Sequence, residues 1–378
     1  MLIRGGHVLD PAQGLDAVRD VRLDGGRVVA VASDLKPAPG EEALEARGLL
    51  ITPGLVDLHV HVFPGASHYG IEPDPHCLGT GTTTVVDAGS AGALTFGAFR
   101  KYVIEVSETR IVPFLNIGAT GMLSPDVGEL EDLRFVDKKK ALQTIEANRD
   151  LIRGVKARLS RELVGNNARA ALLIAREAAE AARLPLMVHP GDTPIGIDEI
   201  LRALRPGDVL THCYHGREEG VLDNGLVRPD ARDAVERGII LDVGHGRGSF
   251  SFATARGALA QGLVPGTISS DLHVYNVAGP VFDLVTTMSK FLALGLSLSE
   301  VVRMTTAAPA RAIGEADTIG TLRPGAVGDV TLLRMESGSF TLTDSHGESV
   351  VAGQRLVPVH VVRRGVPRPA SLATARPA

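Results

Sequence analysis

Between residues 55 and 314, short apolar runs alternate with longer amphipathic or alanine-rich stretches, eight times over. The runs lie at 55–62, 83–90, 110–119, 152–160, 185–192, 208–216, 239–246 and 267–273. They are nearly continuous in apolar residues, as in strands of a parallel sheet covered on both faces. Parallel neighbours need a crossover between them, and the intervening helical stretches provide it. Eight such units close into a (β/α)8 barrel, so residues 53–319 are expected to form a TIM barrel in an α/β chain. The clearest helix is expected over 167–184, NARAALLIAREAAEAARL, which is full of strong helix formers. Ser297-Leu298-Ser299-Glu300 has the spacing of a helix cap.

The two ends of the chain read differently. The first fifty residues are short strands rich in Val, Leu and Gly, with Asp24-Gly25-Gly26 as a hairpin signal and no helical period. The same texture returns after Gly320, in GTLRPGAVGDVTLLR, SFTLTD and HVVRRGVPR. Residues 1–52 and 320–378 are therefore expected to form one small β-sandwich domain. The final PRPASLATARPA reads as a frayed tail.

Composition narrows the partners. The formal net charge is −5, with no stripe of Lys or Arg, which argues against nucleic acid. Lys138-Lys139-Lys140 stands beside Glu129, Glu131, Asp132 and Asp137 and reads as a solvated helix face. No apolar stretch approaches the roughly twenty residues of a membrane span. Cys77 and Cys213 are too few and too far apart for a disulfide framework or a Cys-x-x-Cys site. They read as reduced thiols, and the N-terminus lacks a signal-peptide core, so a cytoplasmic protein acting on a small molecule is expected.

Polar residues at the ends of the strands carry the chemistry. His59 and His61 are two apart on one strand and so point the same way. Lys156, His189, His212 and Asp271 fall at comparable depths on strands four, five, six and eight. Each alone has an ordinary explanation: a hydrogen-bonded core histidine, a snorkelling lysine, a helix-capping aspartate. Four histidines, a lysine and an aspartate together at the catalytic end of a barrel point instead to divalent metal. Two metal ions about 3.5–4 Å apart can share a hydroxide and polarise a carbonyl. A bare ammonium would repel them, but a buried neutral amine can add CO2 and become a bridging carboxylate.

In these features the chain resembles the amidohydrolase superfamily, in its binuclear branch with a carboxylated lysine. The resemblance spans nearly the whole sequence and includes IGTLRPGAVGDVTLL after the barrel. It implies that His59, His61 and Asp271 hold the more buried metal, that His189 and His212 hold the other, and that carboxylated Lys156 bridges them. Zn2+ is the implied metal. A metal-bridging hydroxide would be the nucleophile, and Asp271 would pass its proton to the leaving group. Barrels of this kind commonly assemble as homo-oligomers.

Two departures narrow the branch. Dihydroorotases generally carry Arg two residues after the second His, and this chain has Phe63. D-aminoacylases typically have Asp there and an early Cys ligand, both missing here. GVKARLS, VHPGDTP, HCYHG and ISSDLH are most similar to the amidohydrolase/deacetylase branch, often labelled dihydroorotase-like. The activity implied is hydrolysis of an amide or ester bond in a small N-acyl or O-acetyl amino or hydroxy acid. Cyclic amidases of dihydroorotase or hydantoinase type, and a non-catalytic scaffold of the same fold, are the alternatives. Deaminases of the superfamily usually hold one metal and lack the strand-four lysine.

Candidate substrate contacts are weaker. Arg158 shares parity with Lys156 and either binds a substrate carboxylate or pairs with a neighbouring acid. Tyr214 shares parity with His212 and either donates to an oxyanion or packs. His215 and His273 stand beside ligand candidates and could orient them or touch substrate. His245, among glycines, either faces substrate or belongs to a turn. The long loop after strand one, residues 64–79, could cap the pocket, and its His68 and His76 read as solvated.

Overall fold

The computed structural model describes residues 1–373, and they form two large sheets and one two-stranded hairpin. Five strands come first: β1 (Leu2–Asp10), β2 (Leu15–Asp24), β3 (Arg27–Ala32), β4 (Ala43–Glu45) and β5 (Leu50–Pro53). The barrel strands follow: β6 (Leu55–Val60), β7 (Thr82–Gly92), β8 (Arg110–Asn116), β9 (Gly154–Arg158), β10 (Leu186–His189) and β11 (Val209–Leu210). After a small hairpin of β12 (Leu222–Asp223) and β13 (Leu226–Val227) comes β14 (Ile240–Leu241). The last three are β15 (Val330–Thr343), β16 (Ser349–Arg363) and β17 (Val366–Pro369).

The barrel sheet is parallel, in the order β14-β11-β10-β9-β8-β7-β6. The expected eighth strand, 267–273, is there only as isolated bridges, Asp242 with Thr267 and Val60 with Leu272. Backbone bonds nonetheless close the ring: Asp271 N donates to His59 O at 2.7 Å and Gly246 N to Ser270 O at 3.0 Å. Strands six and seven are also shorter than expected. The backbone leaves the extended region at His212 (φ 61°), Gly244 (φ 47°) and Asp271 (φ 49°), which ends the pairing.

Helices cover the barrel. The helix Ala168–Ala182 buries Ala171, Ala175, Ala178 and Ala182 along one face and stops where Arg183 turns left-handed. The helix Leu298–Met304 starts in a capping box between Ser297 and Glu300. Lys138, Lys139 and Lys140 open an exposed helix turn capped by Asp137. Among the described residues, no helix is long and apolar enough to cross a membrane.

The second sheet joins both chain ends in the order β17-β16-β15-β5-β1-β2-β3, with β4 beside β1. The turn between β2 and β3 uses Gly25 and Gly26, both at positive φ as a tight hairpin requires. This sheet has its own apolar cluster, including Ile3, Val8, Val21, Ile51, Leu332 and Val362. The chain passes from one sheet to the other at Gly54, where a side chain would collide with Thr83. The long hairpin β15–β16 reaches back over the barrel. Its tip is tied there by Ser345 N to Phe250 O at 3.1 Å and Phe252 N to Asp344 Oδ2 at 2.8 Å. The first part of the expected frayed tail is anchored: β17 pairs with β16, and Ala373 N donates to Asp283 Oδ2 at 2.8 Å. Residues 374–378 of that tail lie outside the described residues.

Candidate metal centre

The strand ends bring His59, His61, Lys156, His189, His212 and Asp271 together. Hydrogen bonds fix which ring nitrogens face inward. Thr211 Oγ1 donates to Asp242 Oδ2 at 2.8 Å, so it accepts from His59 Nδ1 at 2.8 Å. His212 Nδ1 lies 2.7 Å from Gly244 O, which can only accept. Both rings thus carry their proton on Nδ1 and present a bare Nε2. His61 Nδ1 meets Ser90 Oγ at 3.0 Å. Asp271 Oδ1 stands 3.4 Å from His59 Nε2 and 3.3 Å from His61 Nε2.

For His59, His212 and Asp271 that is an arrangement of acceptors facing acceptors. His212 Nε2 and Asp271 Oδ1 are buried without a hydrogen-bond partner. Buried polar atoms are rarely left so unless something else satisfies them. Single ligand atoms from His59, His212 and Asp271 all lie within 4.8 Å of one another. Nitrogen and carboxylate donors so grouped fit a divalent cation. Burial, reinforced by Lys156, holds His59 and His61 well below 6.5. Burial also holds His189 far down and pushes His212 to about 3, so all four rings stay neutral, the form that binds metal. His189 lies against His212, ring centres 4.2 Å apart.

Lys156 is fully buried, with Nζ 3.4 Å from His59 Nε2 and 3.3 Å from Met187 Sδ. Its stem passes over Gly89 (φ 89°), where a Cβ would come within 2.7 Å of Cγ. Burial lowers its pKa to about 7, against the pull of Asp271. A neutral amine is therefore accessible near physiological pH.

Beneath these groups Asp57 accepts from Ser270 Oγ at 2.5 Å and from the backbone of Ser270 and His59. It staples β6 to the eighth barrel position, and burial raises its pKa to about 7. Asp242 accepts from Thr211, Thr267 and Ser269. Sequence reasoning missed this supporting layer. Asp57 did carry a signal, since it shares parity with His59 and His61; Asp242, Thr211 and Ser90 carried none.

A cavity of about 340 Å³ opens above the ligands, lined in part by His61, His189, His212 and Asp271. Arg158 lines it and is also ion-paired with Glu129, at 2.6 and 2.8 Å. His215 lines it, with Nδ1 accepting from Arg217 N at 3.2 Å. His273 lines it too, its ring 4.8 Å from that of Tyr69. Arg217 and Arg247 were not anticipated as cavity residues, and Tyr69 and His68 come from the loop expected at most to cap it. His68 comes from the loop after strand one, which does reach the cavity.

Two expected contacts are corrected. Tyr214 does not reach the cavity: fully buried, it donates to Leu263 O at 2.5 Å. Parity holds only along extended backbone, and the left-handed turn at His212 sends Tyr214 into the barrel wall. His245 also faces away from the cavity, with Nε2 2.7 Å from Lys290 Nζ and Nδ1 2.9 Å from Gly246 O. Phe63 packs on Phe99, ring centres 4.7 Å apart.

Known proteins share this architecture. A deacetylase of Agrobacterium fabrum is 39% identical over 333 residues, 87% of this chain and 81% of that protein. A deacetylase of Enterococcus faecalis is 34% identical over 350 residues, 92% and 94% of the two chains. The crystal structure of a dihydroorotase superposes with a TM-score of 0.92 at 35% identity, covering 100% of this chain and 99% of that one. That of an adenine deaminase gives 0.92 at 33% identity, covering 97% and 99%. The sequence profile of the amidohydrolase family matches residues 50–365. With its fold, its strand-end ligands and this match, the chain belongs to the amidohydrolase family of hydrolases.

Proposed function

We propose that the chain is a metal-dependent deacylase, hydrolysing the amide or ester bond of a small acylated amino or hydroxy acid. The observation that carries this is the pair of buried, unpartnered acceptors, His212 Nε2 and Asp271 Oδ1, at the floor of the cavity. Two relatives that each align over most of the chain and bear the name deacetylase support the acyl specificity. His59, His61, His189, His212 and Asp271 would hold two divalent ions, most simply Zn2+, with carboxylated Lys156 between them. Such ions polarise the scissile carbonyl and make water acidic enough to attack it near pH 7.

The chain's own groups do the rest. Lys156 Nζ, neutral above about pH 7, adds CO2 and releases a proton, turning an amine into an anionic ligand. Asp271 takes the proton shed by the attacking water and returns it to the leaving nitrogen or oxygen. Thr211, Ser90 and the Gly244 carbonyl keep the three rings in the orientation that exposes Nε2. Arg158 lines the cavity with its guanidinium held in place by Glu129, and a substrate carboxylate would compete for or share that positive group.

The test is a hydrolysis screen with protein produced in zinc and bicarbonate. N-acetyl amino acids and O-acetyl hydroxy acids of both hands are compared with dihydroorotate. Turnover is expected for an acetylated acid, with close to two metal ions per chain by elemental analysis. Lys156→Ala and Asp271→Asn should each lower kcat/KM by at least about a thousandfold. Efficient ring opening of dihydroorotate would replace this reading with the cyclic amidase, and metal-free protein with an intact fold would leave the scaffold.

A further inference from the structure

Lys290 has no part in that chemistry, yet the fold buries it as completely as Lys156. It stands on the helix Leu284–Ala293 and, like His245, does not line the cavity above the ligands. Its Nζ lies 2.7 Å from His245 Nε2 and 2.8 Å from Pro280 O. The His245 ring proton is committed to Gly246 O through Nδ1, so Nε2 accepts from the lysine. Both partners of the amine are therefore neutral acceptors.

Among the described residues no carboxylate forms an ion pair with Lys290. Asp283 and Asp344 reach it only through their field. Asp283 is engaged by the backbone of Thr286 and Ala373, and Asp344 by that of Phe252, His346 and Glu348. A buried lysine without a counter-ion is unfavourable, and burial brings this one down to about 7. No carboxylate among the described residues touches it, although the field of Asp283 and Asp344 does reach it.

Space for a counter-ion lies next to it. A cavity of about 500 Å³ opens between the helix Leu284–Ala293 and the β15–β16 hairpin, with Lys290 in its lining. That volume is in the range of small-molecule sites. Phe282, Phe340, Leu342, Leu356 and Leu372 give it apolar walls. The hairpin register shifts between Ser337 and Phe340, beside the cavity. Arg355 also lines it but is already held by Glu336 at 2.9 Å and lies over the Phe340 ring.

We propose that this cavity is a second small-molecule site, for a monocarboxylate carrying an apolar chain. The carboxylate pairs with Lys290, and the chain lies against Phe282, Phe340 and Leu342. A single buried amine that gains its proton beside apolar walls matches a single negative charge and disfavours a polyanion. The site is independent of the proposed acyl specificity.

Octanoate is the probe and octanamide its neutral comparator, each titrated calorimetrically into full-length, metal-loaded protein at pH 8. Saturable one-to-one binding of octanoate is expected, at least tenfold tighter than octanamide. Titrations in buffers of different ionisation enthalpy should show proton uptake as Lys290 becomes charged. Lys290→Met should bring octanoate down to the level of octanamide. Leu372→Trp, from a half-buried position on the cavity wall, should block both ligands with Lys290 and His245 untouched. Equal affinity for the amide overturns the proposal, as does no octanoate binding. Binding that survives Leu372→Trp also overturns it, because the carboxylate would then sit at the metal centre.

Discussion

His212 and Asp271 both take positive φ, 61° and 49°, where a side chain other than glycine is strained by about 1–3 kcal/mol. Each aims a buried acceptor at the same point, so the strain is located where ligands must converge. Gly246 allows that convergence on the opposite wall: a Cβ there would collide with Asp271 Oδ2. Gly246→Ala is therefore expected to lower both bound metal and kcat at least about tenfold in a folded protein. Gly248→Ala, whose nearest neighbour is the flexible end of Arg217 at 3.4 Å, should leave both near wild type. Equal behaviour of the two variants, by elemental analysis and steady-state kinetics, would refute the role of Gly246. The second prediction at this scale concerns Lys290. Its folded value of about 7 lies below the ordinary 10.5, so between those values the unfolded chain binds the extra proton. Stability rises with pH across that window, and the penalty is complete below about 7. The melting temperature of Lys290→Met relative to wild type should thus be most favourable near pH 6–7 and decline towards pH 10. A difference that does not vary with pH would mean that Lys290 is not buried with a lowered pKa. That the six strand-end residues would converge was legible because strand parity and a shared depth are sequence properties. For Tyr214 the sequence left oxyanion contact and packing open; the turn at His212 breaks parity and decides for packing, and nothing in HCYHG announces a left-handed histidine.

At the scale of elements, the β15–β16 hairpin does two jobs: it completes the second sheet and it braces the loops at the barrel mouth. Asp344 at its tip accepts from three backbone N–H groups, those of Phe252, His346 and Glu348. Asp344→Ala should cost about 2–4 kcal/mol in urea unfolding, because it orphans a buried donor at the start of the helix Phe252–Ala260. A loss under about 0.5 kcal/mol would show that the tip rests on the barrel without bracing it. The helices Ala168–Ala182 and Leu298–Met304 were readable from local propensity and capping. The reach of the hairpin was not: its register shifts and its partners on the barrel are tertiary facts. The eighth barrel strand was legible as a segment but not as a bridged, partly paired one. Its conformation is set by Asp57 and the backbone of His59, more than 200 residues away.

At the scale of the whole molecule, eightfold alternation was enough to identify the barrel, and similar texture at the two ends suggested that they meet. The strand order of their sheet had no sequence signature. β5 runs directly into β6, β15 pairs with β5, and Leu356 N on β16 donates to Ser289 Oγ on a barrel helix at 3.0 Å. Full-length protein is accordingly expected to unfold in one calorimetric transition, and a fragment of residues 53–319 to be insoluble or to show no cooperative melt. A fragment with a sharp transition of its own would show that the barrel is autonomous. The link between β5 and β15 has a further consequence in time. Leu55 N donates to Thr331 Oγ1 across 276 residues of chain. During synthesis β5 leaves the ribosome long before β15 exists, with Ile51 and a row of backbone groups still exposed. Contacts so distant along the chain form slowly and leave a nascent edge open to aggregation. The bracing of the barrel mouth comes last of all, so ions and CO2 would meet a released polypeptide, and yield in the cell would depend on how well chaperones shield that waiting edge.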